Sequence, residues 1–120
     1  MKIAEVAAQS GLSIDTIRYY EREGLCPPIP RGADGQRRFS PQVLDWLVLL
    51  AALRETGMPL RRMKHFAELY AQGNATVPER KRVLTDHARH LDAQAARIAE
   101  CKALLAHKLS LYDTILGETS

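Results

Sequence analysis

The sequence predicts a mainly helical protein: a small helix-turn-helix body carrying a short hairpin, followed by one long helix. Three observations carry that reading. Two helical segments near the amino terminus are separated by a three-residue turn containing glycine, Gly11-Leu12-Ser13, which is helix-turn-helix spacing. The text then changes to a Pro-, Gly- and Arg-rich stretch with no helical period. After Thr76-Val77-Pro78-Glu79 no helix breaker occurs until Gly117, and apolar residues recur every seven positions.

Each element follows from caps and period. Ile3, Val6 and Ala7 form a short apolar stripe that Gly11 ends. Ser13 suits the N-cap of a second helix, with Asp15 in its positively polarised first turn. Gly24 stops that helix and Pro27-Pro28 prevents its continuation, so the helix-turn-helix spans about 3–24. From Ile29 to Phe39 the pattern predicts two short strands around the turn Ala33-Asp34-Gly35. Ser40-Pro41 restarts a helix over about 40–56, with Ser as N-cap and Pro at the first helical position. Val43, Leu44, Trp46, Leu47, Leu50 and Leu53 leave it apolar on most sides, which places it at the centre of the core. Gly57 ends it, and Pro59 opens a fourth helix over about 59–72. Thr76-Val77-Pro78-Glu79 has the form of a capping box. The reading therefore divides the chain into a body over 1–75, a long helix over 76–116 and a tail over 117–120.

On the long helix, Val77, Leu84, Leu91, Ile98, Leu105 and Tyr112 repeat every seven residues, and Ala88, Ala95, Leu109 and Leu116 form a second row. Such a seam marks a coiled coil. With no second long helix in the chain, the expected partner is another copy; a helix folded back as a hairpin is the alternative, but no breaker interrupts it.

Composition excludes several classes. The chain has 120 residues, 46% hydrophobic and 26% charged, unlike collagen-like, disulfide-scaffold or low-complexity sequences. Lys+Arg number 17 against 14 Asp+Glu, a net +3 that allows a polyanionic partner without requiring one. The two cysteines, Cys26 and Cys101, stand far apart and match neither a disulfide framework nor a zinc site. Both read as small buried hydrophobes, or, for Cys101 beside the seam, as a candidate for oxidative pairing between copies. His87 and His90 lie one turn apart near Asp86, but lack a third ligand and read as a solvated helix face, so no metal is expected. No catalytic set can be assembled, so neither an enzyme nor a cofactor is expected. The apolar run Trp46–Leu53 is far short of a membrane span and the first residues lack a signal peptide's apolar stretch. The expectation is a soluble cytoplasmic protein with no membrane role.

The second helix is two-faced: Ile14 and Ile17 point one way, Asp15, Arg18, Tyr19 and Arg22 the other. An arginine at the front of such a helix can pair with guanine in the major groove. A solvated amphipathic surface helix would look similar. Arg37 and Arg38 in the hairpin could rest on phosphates, or simply guard an edge against strand pairing. A further cluster, Arg54, Arg61, Arg62 and Lys64, surrounds the start of the fourth helix.

The stretches MKIAEVAAQSGLSIDTIRYYEREGLCPP, DGQRRFSPQVLDWL and LRETGMPLRRMK together resemble the DNA-binding domain of MerR-family transcriptional regulators, over about residues 1–70. The resemblance implies a winged helix-turn-helix domain, with its wing at about 28–39, joined to an antiparallel coiled-coil dimerisation helix. It gives Thr16, Arg18 and Tyr19 recognition-helix roles and Arg37 the wing arginine's role, while Gln36 and Arg38 stand where aromatics are frequent. The resulting DNA-binding set is Ser13, Thr16, Arg18, Tyr19, Arg22, Gln36, Arg37, Arg38, Arg61 and Arg62. The dimerisation set is Val77, Leu84, Ala88, Leu91, Ala95, Ile98, Leu105, Leu109 and Tyr112. The implied function is binding of double-stranded promoter DNA as a homodimer at a pseudo-palindrome, with RNA polymerase affected through distortion of the promoter spacer. The small size and QGNATVPER are similar to the aldehyde- and electrophile-stress subgroup, although Ala52 stands where that subgroup usually has cysteine; the effector is not indicated. A coiled-coil adaptor that binds protein through its helix-turn-helix is the alternative.

Overall fold

The computed structural model describes residues 1–119. Its α-helices are α1 (Ile3–Ser10), α2 (Ile14–Arg22), α3 (Pro41–Glu55), α4 (Leu60–Ala71) and α5 (Val77–Thr119), with a turn of 3-10 helix at Asn74–Thr76. The chain forms two compact units, Met1–Val83 and the remainder from Leu84.

In the first unit the expected caps set the helix boundaries. Gly11 takes φ 78°, a left-handed conformation that closes α1 and donates its N–H to the Ala7 carbonyl. The Ser13 hydroxyl accepts from the Thr16 amide at 3.1 Å, and that of Ser40 from the Val43 amide at 3.2 Å. Each such cap stabilises its helix by about 1 kcal/mol. α3 packs against both α1 and α4. Val6, Ile17, Leu25, Leu47, Leu50 and Met63 are the largest fully enclosed side chains. Burying an aliphatic side chain of this size contributes about 1.5–3 kcal/mol, so these few residues set the body's cohesion.

Trp46 ties the elements together. Its Nε1 donates to the Leu25 carbonyl at 2.7 Å, just beyond α2. Its ring stacks with Phe66 and with Tyr70 of α4, at centroid distances of 5.2 and 4.4 Å. The Arg80 guanidinium lies 5.3 Å over the Tyr70 ring. Arg80 also donates to the Thr76 hydroxyl and the Gly73 carbonyl, each at 3.0 Å. The expected capping box is replaced by this arrangement: Thr76 ends the 3-10 turn, and its hydroxyl donates back to the carbonyls of Leu69 and Gly73. A hydroxyl has one proton, and the Leu69 carbonyl in the last turn of α4 and the Gly73 carbonyl beyond it compete for it.

The predicted pair of strands is corrected to a single antiparallel bridge, Arg31 to Arg37, with no strand among the described residues. Pro30 has no amide to extend a ladder; its carbonyl accepts from Arg38 N–H at 2.8 Å. The loop is closed instead by Gly32 N–H to Gln36 O at 2.8 Å and Gly35 N–H to Gly32 O at 3.0 Å. At its base, the Met1 ammonium donates to the Phe39 carbonyl at 2.9 Å and Phe39 N–H donates to Met1 O at 2.8 Å.

α5 spans 43 residues, roughly 65 Å of helix. It runs through Gly117 to Thr119, past the expected stop at Leu116; one glycine costs only about 1 kcal/mol in a helix. His87 is buried, which corrects the solvated reading. It lies four residues after buried Val83, on the same helix face, so that face rather than its spacing to His90 governs its exposure. Beyond it Ile98 is 61% exposed, Leu105 58% and Leu109 62%. No described helix is long and apolar enough to cross a membrane.

Cys26 is buried beside the end of α2, whereas Cys101 is exposed. Burial, reinforced by the Glu21 carboxylate and opposed by Arg37, pushes the Cys26 thiol up to about 11 from 9.0. Between these values the unfolded chain releases a proton that the folded chain keeps, so this thiol's contribution to stability is constant below pH 9 and is lost as pH rises to about 11. The loss should reach about 2–3 kcal/mol. Urea unfolding at stepped pH should show this component in the parent and not in Cys26→Ala.

Candidate nucleic-acid interface

α2 buries Ile17 and Tyr20 and turns its opposite face outward. The burial of Tyr20 raises its phenol above the ordinary range, with Arg54 pulling in the opposite sense. Outward lie Asp15 and Arg18, whose side chains are 97% and 51% exposed and 4.0 Å apart at their charged atoms. Arg22 extends over the Tyr19 ring at 5.7 Å, a placement that keeps a long cation extended along the helix surface. The Ser13 hydroxyl donates to the Thr16 hydroxyl at 2.9 Å, so these two candidates form one small polar group at the front of the helix.

The hairpin lies against this helix through an ion pair. Arg37 Nε donates to both carboxylate oxygens of Glu21, at 3.1 and 3.3 Å. Both side chains are about four-fifths covered, at 20% and 21% exposure, so solvent screens this pair less than an exposed one. It clamps the hairpin to α2. Arg38 pairs with Asp34 at 2.9 Å and crosses the backbone at Gly32, where an added Cβ would meet Arg38 Nε at 2.8 Å. Arg31 donates to the Gly35 carbonyl at 2.8 Å. The Gln36 amide, followed by the Arg38 charge, holds the Asp34 carboxyl below its usual value.

Between the two elements runs a cleft of about 280 Å³ lined by Ile3, Arg18, Arg31, Gly35, Gln36 and Arg37. A second cleft, about 390 Å³, lies beside Thr16, Tyr19, Tyr20 and Arg54, bordered by Leu12 and Leu60. The structure thus gathers Arg18, Gln36 and Arg37 at one cleft and Thr16 and Tyr19 at the other. Arg38 turns to Asp34 instead of lining the first cleft. Arg61 and Arg62 are exposed at the start of α4 and line neither. Arg31 and Arg54 complete the two clefts. Arg31 was absent from the sequence-derived set because only the loop closure brings it opposite Arg37. Three arginines around an open cleft attract phosphate oxygens, and a guanidinium can grip them with two donors. Among the described residues no group of three or more His, Cys, Asp or Glu is placed to hold a metal ion.

A helix-turn-helix with an exposed cationic face and an arginine-bearing wing defines a class of DNA-reading domain. Residues 1–69 match the family described as MerR HTH family regulatory protein, and residues 44–108 match the one described as MerR, DNA binding. The chain is 38% identical over 109 residues to an uncharacterized HTH-type transcriptional regulator of Haemophilus influenzae, covering 91% of this chain and 81% of that protein. It is 36% identical over 91 residues to the transcriptional regulator AdhR of Bacillus subtilis, covering 76% and 65%. Among solved structures it is similar to a MerR family regulator of Listeria monocytogenes, with TM-score 0.85, 33% identity and coverage of 95% and 86%. It is also similar to HiNmlR, a MerR family regulator lacking the sensor domain, solved bound to promoter DNA, with TM-score 0.83, 36% identity and coverage of 94% and 90%. The chain belongs to the MerR family of DNA-binding transcriptional regulators.

Arg37→Ala should leave the Glu21 carboxylate unpaired beside the cleft. Affinity for any DNA sequence should fall about tenfold or more, and the log–log salt slope should flatten by about 1. Adding Glu21→Gln should recover part of the loss in the same fluorescence-anisotropy titration. Equal losses in the single and double variants would exclude a role for the pair.

Proposed function

We propose that the protein binds a pseudo-palindromic promoter element as a homodimer, with α2 in the major groove and the hairpin wing on the flanking backbone. The arginine-walled cleft between α2 and the wing carries this reading. It presents cations continuous with the exposed face of α2, as a groove-bound helix beside a phosphate ridge requires. Arg18 is assigned to a base edge. Tyr19, Arg22 and the Ser13–Thr16 pair contact the adjoining backbone and bases. Gln36, Arg37 and Arg38 from the wing, and Arg61 and Arg62 from the start of α4, are assigned to phosphates. An adaptor face would carry apolar anchors at its centre, whereas this one carries guanidinium groups.

The seam on α5 supports pairing of two copies: Leu84 and Leu91 are half-buried, while Ile98, Leu105, Leu109 and Tyr112 stay exposed within one chain. Unburied rows of this kind mark an interaction surface. In a dimer they would fix the separation of the two α2 helices, and therefore the half-site spacing. Activation or repression then works through deformation of the promoter between half-sites, transmitted to RNA polymerase by the DNA. This is a binding protein and not an enzyme, working in the cytoplasm with the chromosome. Cys101, exposed near the seam, is the thiol that peroxide would reach before buried Cys26.

Binding to the DNA upstream of the protein's own gene, titrated in salt against scrambled DNA, tests the reading directly. Tight, sequence-dependent binding is expected for the parent. Arg18→Ala should lose discrimination between the two DNAs, about 1–3 kcal/mol per half-site, while remaining dimeric. Operator binding at the parent's affinity would show that α2 is misassigned. Leu105→Glu should give a monomer in sedimentation velocity with operator affinity reduced by more than tenfold; a dimer of unchanged strength would remove the seam from the interface.

A further inference from the structure

A cavity of about 350 Å³ opens in the first unit on the side of α3 and α4, lined in part by Leu25, Cys26, Pro28, Trp46, Tyr70 and Ala71. None of the described residues lining it carries a charge. Its volume falls in the range of small-molecule sites, and an apolar lining with aromatic walls is their usual chemistry.

Several contacts hold the cavity open. Pro27 and Pro28 fix the backbone along one side. The Trp46 indole is held by its hydrogen bond to Leu25 O and by stacking with Phe66 and Tyr70. Tyr70 is held in turn by Trp46 and by Arg80. A preorganised wall loses little freedom when a guest arrives. The indole N–H already has its acceptor, so an occupant needs no matching polar group there. Cys26 supplies a polarizable wall and not a nucleophile, because its burial keeps the thiol protonated.

We infer that this cavity is a binding site for a small, uncharged, planar aromatic molecule, held without a covalent bond. The aromatic walls favour ring contacts, and the lack of any charged lining residue disfavours an ionised guest. The inference goes beyond operator binding and does not depend on it. The site is nevertheless one link from α2: Leu25 N–H donates to the Tyr20 carbonyl at 2.8 Å, and its carbonyl accepts from Trp46.

Trp46 is the chain's single tryptophan and lines the cavity, so the tryptophan emission comes from its wall. The full chain, without DNA, is titrated with N-phenyl-1-naphthylamine, an uncharged diaryl amine. Saturable quenching of Trp46 is expected. Ala71→Leu, an exposed rim position that adds bulk without altering the core, should weaken it at least tenfold while leaving the melting temperature unchanged. The related anilinonaphthalene sulfonate should bind at least tenfold more weakly than the uncharged probe. Absence of quenching, or quenching indifferent to both the rim substitution and the sulfonate, would overturn the site. So would Trp46 emission that changes only with protein concentration, which would show the cavity to be filled by a second copy of the chain.

Discussion

The hydrogen bond from the Trp46 indole to the Leu25 carbonyl holds the body in its working arrangement. Leu25 follows the turn that ends α2, so the bond fastens α2 to α3. The same indole stacks with Phe66 and Tyr70, fastening α3 to α4. Tyr70 then meets Arg80, whose own bonds to Thr76 and Gly73 fix the first turn of α5. A body of about 80 residues has little apolar area to spend on rigidity. Planar groups in contact give a large buried surface with few rotatable bonds, which suits a small core.

The side formed by α2, the wing and the start of α4 is organised by ion pairs more than by packing. Arg37 is placed by Glu21, Arg38 by Asp34, and Lys64 of α4 by Glu23 at 3.5 Å. The wing has a single bridge to define its backbone, so side-chain pairs and the close passage of Arg38 over Gly32 supply its shape. Its position relative to α2 follows from a charge on each, which is why the cleft between them is lined by polar atoms and guanidinium groups instead of a hydrophobic seam.

Much of this was legible in the sequence because it is local. Ser13, Ser40 with Pro41, and Gly11 act within one turn of themselves, so the cap rules place α1, α2 and α3 correctly. The outward face of α2 follows from helical period. Other features depend on partners far along the chain. The Glu21–Arg37 pair spans 16 residues and the Trp46–Leu25 bond 21, and no pattern marks either. Thr76 has the form of a box residue but lies within reach of the Leu69 and Gly73 carbonyls, a competition that spacing alone does not show. The expected strands stop at Pro30, whose missing amide cannot extend a ladder whatever turn lies beside it. The burial of His87 follows from Val83 on the same helix face and not from its spacing to His90.

The ion pairs have a kinetic side. Arg18, Arg37, Arg38 and Lys64 each sit within 4.0 Å of a carboxylate in the free protein. In the proposed complex a base edge at Arg18, and phosphates at Arg37 and Arg38, must displace an acid already in place, so each of these contacts is an exchange and not the capture of an idle cation. In that complex such a surface would adhere weakly to arbitrary DNA and release it quickly, firm attachment waiting until base contacts add to the exchange. The acids interleaved with the arginines would thus favour a searching protein over a sticky one, shortening the time spent on the many wrong sequences of a chromosome.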